Sequence, residues 1–119
     1  MPVISYKSLV YFLLISIIAI SCRHPEEAPE DILGKDQMIR ILIDIHIAEA
    51  IVKDQKIPKD SARLLYGDLK TEIFWKHNTE SQIFDTSFQF YVRNIDQLDD
   101  IYTAVLDSLS IREARLKSK

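Results

Sequence analysis

The sequence predicts an all-α domain, a small bundle of about four helices behind a signal peptide and a short tether. Three observations carry that expectation. Apolar residues recur at i, i+3, i+4 spacing in several segments after residue 35. Stop and start signals separate those segments at short intervals, with only two glycines in the chain. The first segment instead has a single basic residue, Lys7, followed by the apolar run Leu9 to Ile20 and then Ser21-Cys22.

That first segment has the layout of an export signal, a basic start, an apolar middle and small residues at the cut. Its 12 apolar-run residues span about 18 Å as a helix at ~1.5 Å each, short of the ~30 Å bilayer core. Residues 1–21 are therefore expected to be a signal peptide rather than a retained anchor. Ala19-Ile20-Ser21-Cys22 resembles the bacterial lipobox, although the lipobox prefers Leu where Ala19 stands. It implies lipid attachment at Cys22, the only cysteine in the chain. The alternative is plain secretion, which would leave an unpaired thiol at the new terminus. Two or three acyl chains, at roughly 0.8 kcal/mol per buried methylene, make attachment durable where one chain is marginal.

Residues 22–30 read as a tether. Arg23 to Glu30 has two prolines, three glutamates and no apolar period. Glu26-Glu27 resembles an acidic export tag, but two acids match it weakly and the solvated tether is the favoured reading. Residues 31–119 form the expected domain. The 98 residues from Cys22 onward suffice for one core, held by packing because one cysteine allows no internal disulfide. The whole chain carries a net charge of −3, which does not attract a phosphate backbone, so nucleic acid is not an expected partner.

The first domain helix is expected over 36–54. Ile39, Ile41, Ile43, Ile45 and Ile47 alternate as in a strand, but the apolar character continues to Val52, too far for a common strand. On a helix, Met38, Ile41, Ile45, Ala48 and Val52 form one stripe, and Ile39, Ile43, Ile47 and Ala50 a second, as in a helix buried between neighbours. The second helix is expected over 58–77, with Pro58 in its first turn, Asp60 near the positive dipole end, and Ala62, Leu65, Tyr66, Leu69 and Ile73 on one face. Gly67 weakens it by about 1 kcal/mol relative to alanine, and Asn78 stops it in a left-handed conformation. Thr79-x-x-Gln82 predicts a capping box opening a third helix over 80–93, with Phe84, Phe88 and Tyr91 inward. Asn94-x-x-Gln97 opens a fourth over 95–114, with Leu98, Ile101, Tyr102, Val105 and Leu109 on one side.

Four elements in this order, Ile-Leu-Ile-Asp-Ile-His-Ile-Ala-Glu-Ala (41–50), Lys76-His77-Asn78, Phe84-Asp85-x-Ser87-x-x-x-Tyr91, and Ile101-Tyr102 with Val105 and Leu109, give a resemblance over about residues 31 to 110. The chain resembles the Bacteroidota lipoprotein family of domain of unknown function 4296, whose pattern often has glycine where Asn78 stands. The resemblance implies a lipid-anchored helical domain of the cell envelope, periplasmic or at the surface. It brings no activity and no cofactor.

Asp44-x-His46-x-x-Glu49 is the constellation closest to chemistry. His46 and Glu49 share neighbouring helical rows, whereas Asp44 lies about 160° from His46, at 100° per residue. The pair is expected to be a polar seam. The functional alternatives are a partner contact, or a catalytic or metal site completed from outside, as by His77. No metal or cofactor is expected. Asp85 and Ser87 lack the nearby glycine turn of a serine nucleophile and are expected to bond locally or to tie the third domain helix to the second. Trp75 and Phe90 fall off the main stripes. Exposed aromatics are typical interface anchors, so these two are the candidate contacts with an envelope protein. The expectation is a non-catalytic, membrane-tethered interaction module. A protein holding an apolar ligand between helices is the alternative, and an enzyme or metal site using His46 and Glu49 comes third.

Overall fold

The computed structural model describes residues 5–18 and 29–119. The described residues contain five helices and no strand: α1 (Tyr6–Ile18), α2 (Lys35–Asp54), α3 (Lys59–Lys76), α4 (Ser81–Arg93) and α5 (Ile95–Lys117). None is long and apolar enough to cross a membrane. α1 falls within the expected signal segment. Cys22 and the tether up to residue 28 lie outside the described residues.

The four domain helices fall where the sequence places them, within a residue except that α5 runs three residues past 114. α2 is the centre, packed on α3 along one side and α5 along another. This explains its double apolar pattern. Ile41, Leu42 and Ile43 are consecutive and all buried, an arc of about 200°. Met38, Ile41, Ile45 and Ala48 of the first stripe are buried as expected. The second stripe is less complete, since Ala50 is exposed.

α5 presents Ile101 and Val105, both fully buried, with Leu98 and Leu109 packed around them. Burial of such a side chain contributes roughly 1.5–3 kcal/mol. α4 packs against α5 and brings Phe84 and Tyr91 inward. Phe84 also meets Phe74 of α3 at 5.3 Å and Phe88 at 6.1 Å between ring centres, closing the bundle between α3 and α4.

Asn78 stops α3 as anticipated, with φ 51°. Its N–H donates to the Trp75 carbonyl and the Thr79 N–H to the Phe74 carbonyl, each at 3.0 Å, the paired bonds of a Schellman stop. That stop undoes the expected capping box. Thr79 belongs to the end of α3, Glu80 is the N-cap of α4 without a side-chain bond, and the Thr79 hydroxyl is buried with no partner. Pro58 likewise sits at the N-cap of α3 rather than inside its first turn. Asn94 joins α4 to α5, but its side chain donates back to the Phe90 carbonyl at 2.8 Å instead of capping α5 forward.

Candidate functional site

The polar residues singled out from sequence separate into two clusters along the seam between α2 and α3. In the first, His46 Nδ1 lies 3.1 Å from Glu49 Oε2. A carboxylate only accepts, so Nδ1 carries the hydrogen. The other carboxylate oxygen of Glu49 accepts from the Tyr66 hydroxyl of α3 at 3.2 Å. The expected seam therefore exists, and it crosses to α3 through the Tyr66 side chain. Partial burial, helped by the neighbouring Glu49 charge, raises the Tyr66 pKa above its ordinary 10.0. The His46 ring also leans on Tyr102 of α5, 6.3 Å between centres.

His77 does not complete this pair. Its Nε2 is 2.7 Å from Asp44 Oδ2, and Lys76 Nζ donates to the same oxygen at 2.9 Å. Burial alone would raise the Asp44 pKa, but the hydrogen bonds and positive charge of Lys76 and His77 outweigh it and hold the carboxyl below its usual 3.8. Gln37 near the start of α2 adds a bond to the His77 carbonyl at 3.2 Å. The end of α3 is thus fastened to the first half of α2. Among the described residues no three His, Cys, Asp or Glu side chains gather as a metal site.

Ser87 and Tyr91 form a buried device that periodicity did not reveal. The Leu33 N–H donates to Ser87 Oγ at 2.9 Å, while the Ser87 hydroxyl donates to the Ile83 carbonyl at 2.6 Å. The Tyr91 hydroxyl donates to the Leu33 carbonyl at 2.8 Å. Burial raises the Tyr91 pKa, keeping the phenol protonated as a donor. Both backbone polar groups of Leu33, the residue before the α2 N-cap Gly34, are satisfied by α4. Ser87 therefore bonds locally, as expected, but its second tie is to the segment ahead of α2 rather than to α3. Asp85 is exposed and shares nothing with it.

The exposed aromatic expectation holds for one of its two residues. Trp75 is 83% exposed. Phe90 is not exposed. It is half-buried against the core and meets Tyr91 edge-on at 5.2 Å. Trp75 stands on the rim of an open groove of about 340 Å³ between α2 and α3. Ile47, Ile51, Leu69 and Ile73 supply its apolar walls, and Glu72 and Lys76 its charged edge.

The described residues thus define a small helical bundle with one buried clip, two bonded polar clusters and an open apolar groove crowned by an indole. The chain belongs to the family described as Domain of unknown function (DUF4296), which matches residues 29–115. No curated protein and no solved structure matches it.

Proposed function

We propose that this is a lipid-anchored protein of the bacterial cell envelope, of the Bacteroidota lipoprotein kind, that acts by docking another protein rather than by catalysis. The observation that carries the docking reading is Trp75, an almost fully exposed indole beside the α2–α3 groove. A soluble domain gains nothing by leaving its largest apolar side chain in water, whereas tryptophan is the residue most enriched among interface anchors. The anchor reading rests on the lipobox-like run ending at Cys22. A thioether-linked diacylglycerol there holds the domain at a bilayer, on the periplasmic or the surface side, through a tether of about ten residues.

Binding of an apolar small molecule in the same groove is the second reading, supported by its isoleucine and leucine walls. The groove's openness favours a protein surface, because small-ligand sites enclose most of their occupant. His46 and Glu49, tied to Tyr66, support a stabilising role in packing α2 on α3.

Two measurements test the proposal. Intact mass of the protein taken from membranes is expected to give a chain beginning at Cys22 with added acyl mass, and a full-length unmodified chain would overturn the anchor. Cross-linking in intact cells is expected to give a protein adduct that Trp75→Ala removes. Retention of the adduct in that variant would overturn docking through this face.

A further inference from the structure

The last two turns of α5 leave the bundle. Every residue from Ser110 onward is exposed, although α5 stays helical to Lys117. At 100° per residue, Ile111, Arg115, Arg112 and Leu116 fill one arc of about 140°, in that order. Ser110, Glu113, Ala114 and Lys117 fill the other side. Glu113 and Lys117 bond each other at 2.6 Å, whereas neither arginine has an ion-pair partner among the described residues. One side of this overhang is thus polar and neutralised. The other sets two free guanidinium groups between two large aliphatic side chains, Ile111 and Leu116, both open to water.

Attraction to the negative end of the helix dipole accounts for basic residues in a last turn. It does not account for the aliphatic side chains that flank them. A helix lying at a bilayer surface uses both, since its cations meet anionic headgroups and its apolar side chains enter the acyl boundary. We propose that this arc of α5 rests on the anionic headgroups of the bilayer to which Cys22 tethers the chain. The proposal rests on the anchor reading above and adds a second contact to it.

Two turns bind weakly alone, because each basic residue at an anionic surface favours the bound state only about fivefold. The tether supplies what is missing as effective concentration. Lys35, at the start of α2, donates to Asp100 at 2.9 Å, so α5 begins beside the point where the tether joins the domain. From Asp100 to Arg115 the helix rises about 23 Å. The chain from Cys22 to Pro29 reaches about 24 Å when extended, a matching length that lets the domain tip until the overhang touches the headgroups. Charge favours that pose. The overhang is net positive while the whole chain carries −3, so an anionic surface draws this end in and repels the rest. An acidic protein offers the same charge, but only the bilayer is kept within reach by the chain itself.

The test uses the full acylated chain in vesicles of phosphatidylcholine, with and without about one-third phosphatidylglycerol. The lipid consumes the Cys22 thiol, so Leu116→Cys supplies a single thiol for a polarity-sensitive dye. Its emission is expected to shift to the blue in the anionic vesicles only. Combining Arg112→Ala with Arg115→Ala is expected to abolish the shift. Salt at about 1 M, which screens charges beyond about 3 Å, is expected to do the same. A dye at Ala114→Cys, on the other side of the helix, is expected to shift far less. All these positions are exposed, and unchanged helical circular dichroism checks the fold. An acylated chain whose Leu116→Cys dye shifts equally in both vesicles, or in neither, would overturn the inference and leave the anchor intact. Equal shifts from the two dye positions would also overturn it. So would a shift in the native membrane but not in anionic vesicles, which would assign the arc to a protein partner. A chain that takes up two dyes has a free Cys22 thiol, which would overturn the anchor reading and this inference with it.

Discussion

The two sides of α2 are finished to different degrees. Toward α5 and α4, Ile41, Ile101, Val105 and Tyr91 are essentially inaccessible, and both backbone polar groups of Leu33 have buried partners on α4. Toward α3, full burial is confined to Ile73 and Phe74 at one end, while Ile51, Leu64 and Trp75 remain open to water. Polar clusters rather than close packing fasten that side, through Asp44 to Lys76 and His77, and through Glu49 to Tyr66. One side stores the stability of the domain. The other leaves apolar side chains open to water, the kind of surface the docking proposal needs.

The largest expected effects fall on the finished side. Ile101→Ala removes a fully buried side chain where closely packed helices cannot collapse around the gap, and is expected to cost about 2–5 kcal/mol in chemical denaturation. Leu64→Ala, on the open side, is expected to stay within about 0.5 kcal/mol. Equal costs would mean that the two sides do not differ as described. Ser87→Ala is next. It leaves the Leu33 N–H buried without an acceptor and is expected to cost about 1–3 kcal/mol, with faster hydrogen exchange at the Leu33 amide. An unchanged exchange rate would show that the clip does not hold in solution.

These positions also show what sequence can and cannot deliver. The burial of Ile101 and Val105 was legible because helical spacing repeats locally. The unusual breadth of the apolar face of α2 was legible because a helix between two neighbours must be apolar on both. Asn78 as the stop of α3 and Trp75 as an exposed ring were legible for the same local reasons. The Leu33 clip was not. Its donors and acceptors lie 54 and 58 residues apart, and serine and tyrosine at i, i+4 on a helix look like many solvated pairs. Phe90 was misjudged because its ring, off the main stripe of α4, still packs on the core and against Tyr91. The Thr79 capping box failed because the stop of α3 uses the same residues first. His77 was weighed as help for His46, but the wheel position that excludes Asp44 from that pair is what aims Asp44 at the end of α3.

Smaller effects sharpen the account of the open side. Lys56, between α2 and α3, has φ 50°, a left-handed conformation that disfavours any residue with a side chain. Lys56→Gly is expected to raise stability by about 1 kcal/mol, measured as an upward shift of the denaturation midpoint. The Asp44 cluster makes a pH-dependent contribution. The folded-state pKa of Asp44 lies below its ordinary 3.8, so the unfolded chain takes up the proton first as pH falls. The stabilisation is therefore complete above about pH 5, begins to fade near pH 4, and is gone once pH passes below the folded value. Asp44→Asn is expected to be less stable than the parent at neutral pH, with the gap closing in acid. A gap that widens on acidification would contradict the assignment.

The smallest expected stability effect belongs to the residue with the most to say about function. Trp75 is exposed, and the stop of α3 uses only its backbone carbonyl, so Trp75→Ala keeps every hydrogen bond described for this region. The denaturation midpoint is expected to move by no more than about 0.5 kcal/mol equivalent. If the substitution instead unfolds the domain, the indole is part of the core and the open side is not open. If it leaves the fold intact and removes the cross-linked adduct in intact cells, stability and the proposed docking have been separated at one residue. That separation is what the unequal sides of α2 predict, because a surface left unfinished by the fold can be changed without the fold noticing.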